Sequence, residues 1–107
     1  MVAYAYDTIM RKNPLGFLGM VYVLEGTSVA LASRLAEVLQ RTLNLPASAF
    51  SYLTSHGDLD VSHIDHFANM VNRLDSPSDQ ACVEKCAKDF FRLYSNVLRN
   101  IGEEVHA

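Results

Sequence analysis

The chain has 107 residues, 50% hydrophobic and 20% charged, with nine Lys and Arg against twelve Asp and Glu for a formal net charge of −3. This size fits one globular domain able to bury a core without disulfide or metal staples. The mild acidity lacks the basic footprint of a nucleic-acid binder, which leaves small molecules, metals and other protein chains as partners. The most apolar stretch, Leu15 to Leu24, ends at Glu25, short of the roughly 18 residues a membrane span requires, so no membrane crossing is expected. Met1 to Asp7 carries neither a basic leader region nor a cleavage site, which points to the cytoplasm.

Val2 to Lys12 reads as a short helix, stopped where Asn13 precedes Pro14. Pro14 suits the first turn of a second helix, expected from about Leu15 to Leu43 and halted by Asn44-Leu45-Pro46. A brief helical turn, Ala47 to Tyr52, follows. Helical spacing resumes at about Ser55 or Asp58 and runs to Leu74, before the break Asp75-Ser76-Pro77-Ser78. Ser76 and Asp79 form a capping-box-like pair around Pro77 at the start of a last helix that should reach Glu104. Its stripe Cys82, Cys86, Phe90, Leu93, Val97 and Ile101 steps by four and three, as a core-facing surface does. Without strand alternation or internal repeats, the class is all-α, a helical bundle.

The two cysteines, Cys82 and Cys86, stand at i, i+4, a poor orientation for a disulfide. They read as small buried hydrophobes, with a redox or metal role as the alternative. Along one face of the second helix run Leu18, Val21, Glu25, Val29, Ala32, Ala36, Leu39 and Leu43, apolar except for Glu25. A carboxylate in such a stripe requires a hydrogen-bonding partner, a proton or a metal. Three of the four histidines fall between His56 and His66, among Asp58, Asp60 and Asp65. On a helix, the stripe of Ile64, Phe67, Val71 and Leu74 also carries Asp60 and His63, and His56 if the helix reaches back that far, while Asp58, Asp65 and His66 fall outside it. Gly57 weakens a helix and argues for a start after His56. Two imidazoles and two carboxylates from two helices suit a first-row metal, above all non-heme iron or manganese. The plainer reading makes Ser55 a helix cap and the histidines hydrogen-bonded groups at the core rim.

The segment Tyr22-Val23-Leu24-Glu25-Gly26-Thr27-Ser28, with Ser55-His56-Gly57-Asp58-Leu59-Asp60-Val61-Ser62-His63 further on, resembles the C-terminal half of the heme-oxygenase-like superfamily. The nearest branch is that of the iron-containing redox enzymes, the heme-oxygenase-like diiron oxidases and oxygenases, relatives of the thiaminase and pyrroloquinoline-quinone synthase groups. The resemblance covers roughly residues 14 to 100 and implies Glu25, His56, Asp60 and His63 as ligands to iron, in a mono- or dinuclear site. The heme-binding branch shares a similar Tyr-Val-Leu-Glu-Gly segment, but its paired glycines are replaced here by Val29-Ala30-Leu31-Ala32, and its upstream histidine is missing, so heme is the lesser reading.

Members of that branch are longer, and their N-terminal half contributes a further Glu and His. The resemblance therefore implies a half-domain completed by dimerisation, in which a second copy covers the apolar surface left by the missing helices. The function expected is a non-heme iron-dependent oxidoreductase or oxygenase acting on a small organic substrate. The alternatives are a non-catalytic helical interaction module and, behind it, cofactor-free or heme chemistry.

Overall fold

In the computed structural model, which describes residues 1–106, the described residues form four α-helices and no strand. They are α1 (Val2–Arg11), α2 (Phe17–Leu43), α3 (Ser51–Val71) and α4 (Pro77–His106), with 3-10 turns at Pro14–Gly16 and Ala47–Phe50. The all-α class expected from the sequence is observed. Chain contacts define two compact units, residues 1–23 with 71 onward, and residues 24–70.

The first unit is built around the Pro14–Gly16 turn, against which α1 and α4 both pack. Asn13 makes that turn. Its side-chain oxygen accepts the Leu15 N–H at 3.1 Å, and its amide donates to Asp79 Oδ1 at 2.7 Å. Because the asparagine holds the chain in this tighter turn, α2 begins at Phe17 rather than at the expected Leu15. Two glycines then let elements touch. A Cβ on Gly16 would lie 2.6 Å from Cys86 Sγ, and one on Gly19 would collide with the Val83 carbonyl and lie 2.6 Å from the Ala87 nitrogen. At Gly19, α2 therefore meets the bare backbone of α4, a separation that no larger residue permits.

Pro77 opens α4, and the Asp79 N–H reaches Ser76 Oγ at 3.4 Å, as the capping pattern anticipates. The Asp79 carboxylate departs from that pattern by holding Asn13. Val23, Val83, Cys86 and Phe90 are buried, Phe90 most deeply at 2% exposure. The expected α4 stripe is right in its first half. Val97 and Ile101 are exposed, because burial along α4 follows Val83, Cys86 and Phe90 and does not extend to its last turns.

The second unit pairs the later part of α2 with α3. Asn44 takes a left-handed conformation (φ 52°), which asparagine tolerates and which ends α2. Extended Pro46 leads through the 3-10 turn directly into α3 at Ser51. The helix thus starts ahead of the expected Ser55 or Asp58, and Ser55 is not its cap: its hydroxyl donates to the Tyr52 carbonyl at 3.1 Å. Gly57, expected to break the helix, lies buried inside it. A Cβ there would sit 3.0 Å from Ser33 Oγ and 3.5 Å from Ala32 Cβ, so tertiary packing against α2 outweighs its low helix propensity. Gly26 opposite Ile64, and Ala32 and Ser33 opposite Gly57, show that the pair is antiparallel. Ala32, Ala36, Phe50 and Phe67 are buried. At the other end α3 stops at Val71, short of the expected Leu74, whose carbonyl accepts from Gln80 Nε2 at 2.6 Å instead of continuing the helix.

One expectation requires correction. Pro14–Leu43 is long and apolar enough to cross a membrane by length and composition alone, since single polar residues do not interrupt its apolar average. Core helices share that property, as do N-terminal signal segments.

Candidate metal centre

Antiparallel pairing of α2 and α3 fixes which polar side chains can meet. Glu25 lies one residue before Gly26, which faces Ile64, so its carboxylate is delivered to the turn of α3 that carries Asp60 and His63. His63 Nδ1 lies 3.4 Å from Asp60 Oδ1 and 3.8 Å from Glu25 Oε1. One donor atom from each of the three residues falls within 4.8 Å of the others.

Asp60 and His63 share a face because they stand at i, i+3. Burial is graded across the cluster: the Asp60 side chain is 10% exposed, Glu25 29% and His63 53%. The carboxylate that is hardest to hydrate is therefore the deepest, and the imidazole marks the solvent side.

The separations carry chemical information. At 3.4 and 3.8 Å the imidazole nitrogen is within ion-pair range of both carboxylates but beyond ordinary hydrogen-bond length. Donors held about 2.1 Å from a common ion lie about 3 Å apart when adjacent and about 4.2 Å apart when opposite. The two measured separations fall in that window. Two carboxylates and one imidazole also form a donor set suited to iron, with positions left over for exogenous ligands.

The sequence named four ligands, and three of them converge. His56 is one helical turn before Asp60, but its ring packs on Tyr52, with centroids 3.9 Å apart at 31°, and its Nδ1–H donates to the Tyr52 carbonyl at 2.8 Å. That hydrogen bond fixes the tautomer and leaves Nε2 as the nitrogen with ligand capacity. Tyr52 is thus the partner of His56, a contact that the ligand pattern did not anticipate. The signal was an aromatic residue four positions before a histidine on a helix. Asp58, Asp65 and His66, assigned away from this face, are exposed.

An all-helical chain with a two-helix carboxylate and imidazole cluster defines a class, the helical metal-centre proteins that draw inward-facing Glu, Asp and His from neighbouring helices. The family model for iron-containing redox enzymes matches residues 1–95. The chain belongs to this family, whose fold is helical and heme-oxygenase-like. The match takes in α1 and so begins earlier than the expected residue 14. Comparison with curated proteins and with solved structures finds no match.

Proposed function

We propose that this protein is a non-heme iron-dependent oxidoreductase that uses dioxygen on a small organic substrate, with Glu25, Asp60 and His63 as ligands and His56 as a fourth. The observation that carries the reading is the meeting of three donor groups from two helices at 3.4 and 3.8 Å, in a chain of an iron-containing redox family. Iron held there would supply electron transfer and open positions for dioxygen and substrate.

The chain's own residues have distinct tasks. Buried Asp60 anchors the cluster and provides the charge that a cation would neutralise. Glu25 ties that charge to α2, and half-exposed His63 stands where a small molecule would enter. His56 joins by turning about its side-chain bonds away from Tyr52, which releases one hydrogen bond and one ring contact. The working unit is a cytoplasmic homodimer. Leu24, Leu31, Leu35 and Val38 are exposed on α2 at spacings of seven, four and three, the period of a seam between helices.

Anaerobic titration with Fe(II), followed by elemental analysis after desalting, tests the site. Near-stoichiometric iron in the wild type, its loss in Asp60→Asn and His63→Ala, and iron-dependent oxygen consumption are expected. Iron retained by both variants would overturn the assignment. A folded wild type that takes up no iron would favour the interaction module.

A further inference from the structure

Outside the α2–α3 cluster, a second group of ligand-type side chains among the described residues lies in the first unit. Cys82 and Cys86 are both free thiols, Cys82 half-buried and Cys86 buried. Standing at i, i+4 on α4, they project from one face, and both sulfurs rest on the same glycine. A Cβ on Gly16 would be 2.6 Å from Cys86 Sγ and 3.2 Å from Cys82 Sγ. Tyr4 Oη lies 3.5 Å from Cys86 Sγ, and the Asn13 carbonyl 4.0 Å from Cys82 Sγ. The methyl of buried Thr8 closes the same small space, 2.9 Å from the Gly16 Cβ position.

We propose that Cys82 and Cys86 form a second, thiol-based site that takes a soft monovalent cation of the Cu(I) class, bridged between the two sulfurs. Geometry selects an ion over a disulfide. Side chains at i, i+4 on a helix have Cβ atoms about 5–6 Å apart, whereas a disulfide draws its Cβ atoms to about 3.5–4.5 Å. Two metal–thiolate bonds of about 2.3 Å span up to about 4.6 Å between sulfurs, which the helix accommodates without unwinding. Soft thiolates select Cu(I) over the harder divalent ions that carboxylate and imidazole attract, so the two sites divide metals by chemistry.

The Cys82 thiol of the ion-free protein is a poor target for oxidation. Burial, and then the neighbouring Cys86, hold the Cys82 thiol above its ordinary range, and the thiolate is the reactive form. Cation binding balances as one ion and two S–H groups giving one bis-thiolate complex and two released protons, with no change in oxidation state.

The test is anaerobic competition between the protein and a chromophoric Cu(I) chelator. The wild type should withdraw one Cu(I) per chain. Cys82→Ser and Cys86→Ser should each weaken that uptake at least about tenfold, since they remove ligands rather than outer-shell groups. His63→Ala, altered only in the α2–α3 cluster, should bind Cu(I) as the wild type does. Should Cys86→Ser unfold, Cys82→Ser, at the half-exposed position, decides the matter alone. No withdrawal by the wild type, uptake unchanged in Cys82→Ser, or loss of uptake in His63→Ala would each overturn the proposal.

Discussion

The two units solve the same problem, helix meeting helix through glycine, to different ends. In the first, Gly19 leaves α2 against the backbone of α4 with no room for another atom, and the nearby polar groups are hydrogen-bonded, as Tyr4 is to Asp89 at 2.9 Å. In the second, the closest atom to a Cβ on Gly57 would be a movable hydroxyl, Ser33 Oγ at 3.0 Å, with the other neighbours at ordinary contact distance, and Gly26 meets Ile64 at an ordinary 3.8 Å. In its carboxylate–imidazole cluster the ring nitrogen stops short of hydrogen bonding: His63 Nδ1 stands 3.4 and 3.8 Å from two carboxylates. Tight packing with satisfied partners builds a scaffold. Slightly open packing around a carboxylate–imidazole cluster makes a candidate place for a cation.

The same substitution in the two units probes that contrast most directly. Gly19→Ala should be the most costly change, about 3 kcal/mol in chemical denaturation, because the added methyl collides with the Val83 carbonyl and a helix backbone must move. A loss below about 1 kcal/mol would mean that the close approach is not essential. Next in size is Asp60→Asn, expected to weaken iron binding about a hundredfold, or about 2.7 kcal/mol, by isothermal titration. The iron-free protein should hold its stability or gain slightly, since the substitution removes one of two neighbouring negative charges. Gly57→Ala should fall within about 1 kcal/mol of the wild type, because higher helix propensity offsets displacement of the Ser33 hydroxyl.

An effect of similar size, about 1 kcal/mol at neutral pH, is expected of Tyr4→Phe for loss of the phenol's hydrogen bond. Its pH signature is more telling than its size. Burial foremost, with hydrogen bonds to Cys86 and Asp89, raises the Tyr4 phenol well above its ordinary value. The folded protein therefore holds that proton more tightly than the unfolded chain. The associated stability is complete below the ordinary tyrosine pKa of about 10 and is lost as pH rises beyond it. Tyr4→Phe should flatten the alkaline limb of a stability–pH curve. Asp89 gives the opposite limb: Lys85, and then Tyr4, lower its carboxyl pKa, so its contribution is present above the ordinary aspartate value of about 3.9 and declines on acidification.

Much of the architecture was legible because helices write short-range signals. Pro14, Asn44-Leu45-Pro46 and Ser76-Pro77 act through local sterics and capping, and the breaks fall there. Legibility failed where a distant contact decided. Propensity argued for a break at Gly57, yet the residue is helical because α2 lies against it at Ala32 and Ser33. Ser55 reads as a cap only if the helix starts there, and the Pro46 turn starts it sooner.

The candidate site divides along the same line. Periodicity placed Asp60 and His63 on one face, and the cost of burying a lone carboxylate singled out Glu25. The position of His56 on Tyr52 follows from side-chain rotation and ring packing, which residue spacing does not encode. The convergence of Cys82 and Cys86 on Gly16 likewise depends on how the Pro14–Gly16 turn meets α4. The sequence by itself determined the helical class and the chemical types of the ligands, because both follow from local propensity and residue chemistry. Tertiary structure alone decided which of those groups come within a few ångströms, because that distance depends on the close approach of segments far apart in the chain.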